Sequence, residues 1–311
     1  MNFHMSSLVK SSVALASLLL ASGASAATPK TPNVTSGRAE VYKQLDAKSL
    51  EAVSTPDQIS KLDASNTAPM RIWKVLEHGE KLECPACVPV VAKLIYNSNP
   101  KTREISAWWL RRRIFGVFGP GQVYQQTLQT LASDKDESRR IYAANALGEF
   151  LTLGGVPALS DAIVKDESAA VRKAAVAGLE RLNSSGQAGE LTVALGDSDE
   201  GVRLAALHAS TRINSFLDVE AVVALISDPS SLVRRRAAET LGVMKAEDAL
   251  LGLIALSSAD SESDAAVRGA AVWALGQIGN PEAGDAVLAA EHDDDAFVRS
   301  AASVARRMLR L

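Results

Sequence analysis

The sequence predicts an all-α chain folded as an α-solenoid, a superhelix of about seven stacked helical hairpins. Three observations predict it. A short motif built on Val-Arg recurs along the chain at a nearly constant period. A carboxylate stands six residues before most of those arginines. Alanine and leucine are abundant while aromatic residues make up only 5% of the chain, a composition suited to helices packed through small side chains.

The motif reads VRKAAVAGL (171–179), VRLAALHAS (202–210), VRRRAAETLG (233–242), VRGAAVWALG (267–276) and VRSAASVAR (298–306). RRIYAANALG (139–148) fits with Arg139 in the valine slot, and TREISAWWL (102–110) fits more loosely. The registering arginines are Arg103, Arg140, Arg172, Arg203, Arg234, Arg268 and Arg299, spaced 37, 32, 31, 31, 34 and 31 residues apart. The longest interval carries the loop-like insertion FGVFGPGQ (115–122).

Each unit reads as two helices. In residues 187–213, Leu191, Val193, Ala194 and Leu195 form a short apolar first helix, and Gly196-Asp197-Ser198-Asp199 breaks it. Val202, Ala206, Ala209 and Ile213 then recur near a 3.6-residue period as the buried face of a second helix. Four residues before the arginine stand Asp136, Ser168, Asp199, Ser230, Asp264 and Asp295, at the N-cap of the second helix. Six residues before it stand Asp134, Asp166, Asp197, Asp228, Glu262 and Asp293, with Asn97 in the first unit. A carboxylate there can accept hydrogen bonds from the following backbone N–H groups and from the arginine of its own or a neighbouring unit. Because this ladder occurs in every unit, it is read as structural and not as a binding site.

The pattern resembles the HEAT repeat, and more narrowly the short HEAT-like repeats grouped with phycobilisome lyases. The resemblance covers roughly residues 84–311 and implies stacked helical pairs of armadillo-like helical architecture. The last helix, VRSAASVARRMLRL, carries Arg306, Arg307 and Arg310 as a solvated cap is expected to.

The chain ahead of the repeats divides in two. Residues 1–26 read as a secretory signal peptide. Lys10 precedes the apolar run Val13–Ala21, which is too short to span a bilayer, and Ala24-Ser25-Ala26 supplies the small residues a signal peptidase reads. Its removal near Ala27 is expected to leave an exported protein, periplasmic or secreted, with no membrane span. Net charge moves from −3 to 32 − 36 = −4 on that removal, which speaks against nucleic acid as a partner. Residues 27–67 read as a linker and a partly helical segment, through VYKQLDAKSLEAV and TPDQISKLDA. The repeat solenoid is placed at 68–311. It opens on an amphipathic helix over 68–82 with Met70, Trp73 and Leu76 on one side.

The resemblance implies that the second helices line a concave surface. The face opposite the buried stripe lies one, five and nine residues after each arginine. It presents Trp108, Arg112, Arg181, His208, Arg212, Arg235 and Trp273, a set in which basic residues exceed acids. Aromatic and arginine side chains anchor protein partners, so these residues form the candidate partner-binding groove. The alternative places Trp108 and Trp273 in packing between repeats.

Chemistry is sparse. His4, His78, His208 and His292 are the only histidines and no His-Glu dipeptide exists, so the di-iron site of the HEAT-like deoxyhypusine hydroxylases is not expected. No catalytic residue, metal site or cofactor is assigned. The two cysteines, Cys84 and Cys87, stand as C-P-A-C at the start of the first repeat helix. A thioredoxin-like context needs a preceding strand, and covalent haem needs a histidine where Val88 stands. Three readings stay open: a structural disulfide, which export favours, a redox dithiol, and part of a metal site. The segment 102–132, with its Trp pair, triple arginine and Gly-Pro loop, exceeds what a repeat requires. The functional expectation is an exported protein–protein interaction scaffold, with an oxidoreductase as the alternative.

Overall fold

The computed structural model describes residues 54–63, 65–113, 121–183 and 188–311. Residues 1–26, expected to be a signal peptide, residues 27–53 of the expected linker segment and most of the 115–122 insertion lie outside the described residues. Sixteen α-helices and no strands are found among the described residues. Two helices precede the repeats: α1 (Pro56–Ser60) and α2 (Pro69–His78). Seven hairpins follow: α3 (Val88–Leu94) with α4 (Pro100–Arg111), α5 (Gln122–Ser133) with α6 (Glu137–Glu149), α7 (Val156–Lys165) with α8 (Ala169–Leu182), α9 (Ala188–Leu195) with α10 (Glu200–Ser210), α11 (Val219–Val223) with α12 (Ser231–Met244), α13 (Leu250–Leu256) with α14 (Ala265–Ile278), and α15 (Gly284–Ala290) with α16 (Ala296–Leu309).

The second helices begin where the sequence places them. Asp136, Ser168, Asp199, Ser230, Asp264 and Asp295 each cap one by accepting a hydrogen bond from a first-turn N–H. Val202, Ala206, Ala209 and Ile213 are buried as expected. Two details differ. Helix α2 stops at His78 and buries Ile72, Val75 and Leu76, leaving Met70 exposed. Val193 is exposed on α9, because Leu191, Ala194 and Leu195 already fill the inward arc of that short helix.

The carboxylate ladder joins consecutive repeats. Arg140 donates from Nε and Nη2 to Asp166 at 2.9 and 3.0 Å. Arg172 bonds Asp197 in the same bidentate way, Arg203 bonds Asp228, Arg234 bonds Glu262 and Arg268 bonds Asp293. In each case Nη1 donates back to the carbonyl of the turn residue in its own repeat, as Arg203 does to Asp197 at 2.8 Å. The carboxylate meanwhile accepts the N–H two residues on, as Asp228 does from Ser230 at 2.8 Å. One guanidinium therefore ties its own turn to the next. Arg103 departs from the pattern: it donates to the carbonyls of Asn97 and Ser98 and lies over the Tyr142 ring at 4.1 Å. Asp134 is held instead by Arg139, whose guanidinium sits 4.4 Å from the Tyr96 ring.

Curvature follows from side-chain size. Second helices approach through small residues: a Cβ added at Gly242 would meet the Ala274 Cα at 2.8 Å, and one at Gly276 would meet the Ala305 Cα at 2.7 Å. First helices instead bury larger groups, such as Val156, Leu159 and Ile163 of α7 and Leu250, Leu253 and Leu256 of α13. A stack drawn closer on one layer curves toward that layer, which makes the second-helix layer the concave side. On the outer side, an open cleft of about 1030 Å³ separates α5 from α7.

Two outcomes test the ladder. Arg203→Ala strands Asp228, which is 7% exposed, and should cost about 3–5 kcal/mol in urea unfolding. Arg299→Ala removes the equivalent residue of the last unit, which bonds only the Asp293 and Asp294 carbonyls and is exposed, and should stay within about 0.5 kcal/mol. The second outcome concerns pH. The hydrogen bonds from Arg234 and Arg268 hold the Glu262 and Asp293 carboxyls below their ordinary values. Groups lowered in the folded state stabilise it fully above their unfolded values, about 4, and lose that contribution as pH falls through the folded ones. Stability measured from pH 7 downward should therefore hold until about pH 4 and then fall steeply, and Glu262→Gln should lower it at pH 7 while reducing the acid slope.

Candidate functional site

Three openings follow in chain order along the second-helix layer, lined in part by residues one, five and nine positions after the arginines. The first, between α4, α6 and α8, is about 290 Å³ and is lined by Glu104, Tyr142, Asn145, Glu149, Ala177 and Arg181 among others. The second, between α10 and α12, is of similar size and is lined by Leu204, His208, Leu232, Arg235, Arg236 and Glu239. The third, about 440 Å³, lies across α12, α14 and α16 and is walled by Val243, Gly269, Trp273, Phe297, Ala301 and Val304. Arg236 and Glu239 line both the second and the third, so those two are continuous.

Of the residues expected in the groove, Arg181, His208, Arg235 and Trp273 line these openings, while Trp108, Arg112 and Arg212 do not. Trp108 is half-buried against the core. Trp273 is also half-buried, its ring resting on Gly242 of the preceding repeat. The basic surplus read from the sequence is largely neutralised by ion pairs. Arg181 pairs with Glu149, Arg112 with Glu80 at 3.1 Å and Arg235 with Glu239 at 2.9 Å. Glu180 takes both Arg212, at 2.8 Å, and His208, at 3.0 Å. The Arg181 and Glu180 pairs join different repeats and the Arg112 pair joins the first repeat to the turn after α2, so they add to the lateral tie as well as to the surface.

Sequence reasoning missed Phe297 and Leu232, which stand two residues before Arg299 and Arg234. That slot holds Lys101, Ser138, Ala170, Gly201 and Ala266 in other units. A large apolar residue in a slot otherwise small or charged was the available signal. Gly269 makes room for Phe297, since a Cβ there would meet the ring at 2.4 Å.

The C-P-A-C segment forms a single 3-10 turn, Pro85–Cys87, leading into α3. The two Sγ atoms are 2.04 Å apart, bonded as a disulfide, and both residues are buried, Cys84 at 4% and Cys87 at 0% exposure. Helix α1 covers them, with the Pro56 carbonyl oxygen 3.6 Å from the Cys87 Sγ. The odd residues of the 102–132 segment serve the same corner. Trp109 Nε1 donates to the Gly79 carbonyl at 2.9 Å, and the buried Arg113 donates to the Glu80 and Leu82 carbonyls, the latter at 2.8 Å. The Arg113 guanidinium also lies 3.7 Å from the Trp109 ring. A cation set against the carbonyl-rich C-terminal end of α2 is favourably placed. Among the described residues, no three His, Cys, Asp or Glu side chains are grouped to hold a metal ion, and no helix is long and apolar enough to cross a membrane.

Known proteins share this architecture. The family model for HEAT repeats matches residues 124–211, 156–227 and 219–306, more than half of the chain. The chain is a HEAT-repeat protein. Among solved structures, the HEAT solenoid is similar to YibA of Escherichia coli at 18% identity and a TM-score of 0.54, over 85% of this chain and 99% of that one. It is similar to Kap95p, solved with RanGDP, at 14% identity and a TM-score of 0.55, over 82% of this chain and 38% of that one. The CpcE–CpcF complex of phycocyanin lyase from Nostoc matches over 71% of this chain and 86% of that one at 21% identity, with a TM-score of 0.39 too low to carry an argument. No curated protein sequence matches.

Burial of both sulfurs sets an expectation for the cysteines. The folded protein should show no titratable thiol, and mild reductant should release thiols only together with unfolding. Cys84→Ser combined with Cys87→Ser should cost about 2 kcal/mol or less with the helical spectrum retained. Ready reduction of the native protein would reject a purely structural disulfide.

Proposed function

We propose that this HEAT-repeat protein is an exported scaffold that holds another protein along its concave face. The observation that carries the reading is the row of openings along the second-helix layer, walled by residues that change from repeat to repeat while the ladder beneath them stays constant. A constant frame with a variable inner face is the arrangement of solenoid binding surfaces. Kap95p, a longer solenoid of similar fold, binds RanGDP. Export rests on the Lys10, Val13–Ala21 and Ala24-Ser25-Ala26 pattern alone. The competing oxidoreductase reading loses support from the burial of Cys84 and Cys87, because thiol exchange requires an accessible sulfur.

Photo-crosslinking in the native cell tests the binding half, and N-terminal sequencing tests the export half. A benzophenone side chain at Asn145 or at Ser300, each lining one of the openings, should give the same protein adduct, and one at Asp161 in the outer cleft should give none. Adducts from Asp161 alone would move the binding surface to the convex side. N-terminal sequencing of the isolated protein should begin near Ala27, and a chain retaining Met1 or Met5 would reject cleavage.

A further inference from the structure

The third concave opening gathers more exposed apolar side chains than the first two, the second having only Leu232 among its strongly exposed ones. Val243 and Phe297 are more than half exposed there, at 59% and 55%, beside the half-buried Trp273 and Val304. The rest of the exposed surface of α16 is mostly polar: Arg299, Ser303, Arg306 and Arg307 face solvent. Exposed apolar groups are thus concentrated on the one side of α16 that meets the groove, where repeat packing does not require them. Phe297 in particular fills a slot that smaller residues occupy in most other units.

Charge marks the mouth of this opening. Glu239 is shared by Arg235 at 2.9 Å and Arg236 at 3.1 Å, so two guanidinium groups face one carboxylate and one positive charge is uncompensated. All three side chains keep solvent access, at 46%, 39% and 28% for Arg235, Arg236 and Glu239. Elsewhere on this layer the balance differs, since Arg181 has its own Glu149. Arg236 and Glu239 wall both neighbouring openings, so a ligand lying in the apolar one passes the cationic edge on leaving it.

We infer that the groove across α12, α14 and α16 takes a polypeptide segment in which a large apolar side chain stands close to a carboxylate: the apolar group rests between Trp273, Phe297 and Val304, and the carboxylate meets Arg235 and Arg236. The inference rests on the proposed scaffold function and names the chemistry of its partner. Desolvated apolar contact supplies most of the affinity, and the arginines supply orientation and selection against basic segments. Neutralising the surplus charge is favourable at low salt and weakens as salt screens it.

A displayed random-peptide library panned on the full chain tests the inference. Enriched peptides should carry a large apolar residue within a few positions of Asp or Glu. A synthetic peptide of the enriched sequence should bind roughly tenfold or more weakly to Val304→Glu and to Arg235→Glu, with thermal melts unchanged. Replacing its acid by Lys should have a similar effect. Enrichment of basic peptides, failure to enrich any, or binding indifferent to Val304→Glu overturns the inference. Peptides that survive Val304→Glu but are lost with Arg181→Glu would overturn it while leaving the scaffold reading intact, because they would place the binding segment in the opening between α4, α6 and α8.

Discussion

Everything in this fold hangs on one interaction, the bidentate bond between an arginine and the turn carboxylate of the next repeat. A helical pair of this size cannot bury its apolar face alone, so repeats must stack, and stacking needs a register. The guanidinium supplies it because its donors are fixed in a plane. Nη1 is spent on the arginine's own turn carbonyl, and Nε and Nη2 point to where the next carboxylate must stand. The pairs are nearly buried, so each charge costs desolvation that only good geometry offsets. That cost makes the ladder selective: a repeat shifted in register would leave both partners buried and unpaired.

The first junction shows what happens without the rung. Between the first and second units the arginines face tyrosines, Arg103 over Tyr142 and Arg139 over Tyr96, and Asp134 is turned to Arg139. Two stacked cations hold the units together with looser directional demand than a bidentate pair. The first unit is correspondingly reinforced from the other side. The disulfide, the Trp109 bond and the Arg113 donors all converge on residues 79–87. The concentration of unusual residues in 102–132 is thereby explained in part: Trp109 and Arg113 turn inward to that corner, while Arg112 turns outward toward Glu80.

The ladder was legible in the sequence because its geometry is local in each copy. Asp or Glu six residues before the arginine, and Asp or Ser four before it, are fixed by the turn and the helix N-cap, and both recur where the structure uses them. The direction of the bond was not legible. The carboxylate 25 to 28 residues after the arginine is the partner, and sequence distance alone does not separate it from the one six before. The groove was half legible. Helical periodicity pointed to its face, but not to Glu180, which lies eight residues after Arg172, outside the one-five-nine pattern, and reaches His208 and Arg212 across the repeat boundary. Phe297 escaped for a related reason, since its ring reaches the concave side only because Gly269 lacks a side chain.

Division of labour between the two edges of each second helix is the deeper consequence. The turn edge is committed: from Arg140 to Asp293 its arginines and carboxylates satisfy one another, and removing one partner of a pair leaves a buried charge. The inner face carries no such obligation. Small residues at the helix crossings, such as Gly242 and Gly276, let the backbones approach and leave contact between second helices to the backbone and Ala274 or Ala305. Side chains one, five and nine positions on are therefore freer to vary, from Asn145 and Arg181 to His208, although Trp108 and Trp273 still pack against the core and Trp273 rests on Gly242. A protein that binds through such a face can change its partner by substitutions that leave its stability nearly untouched, which is the physical reason to look for specificity on the second helices and for stability in the turns.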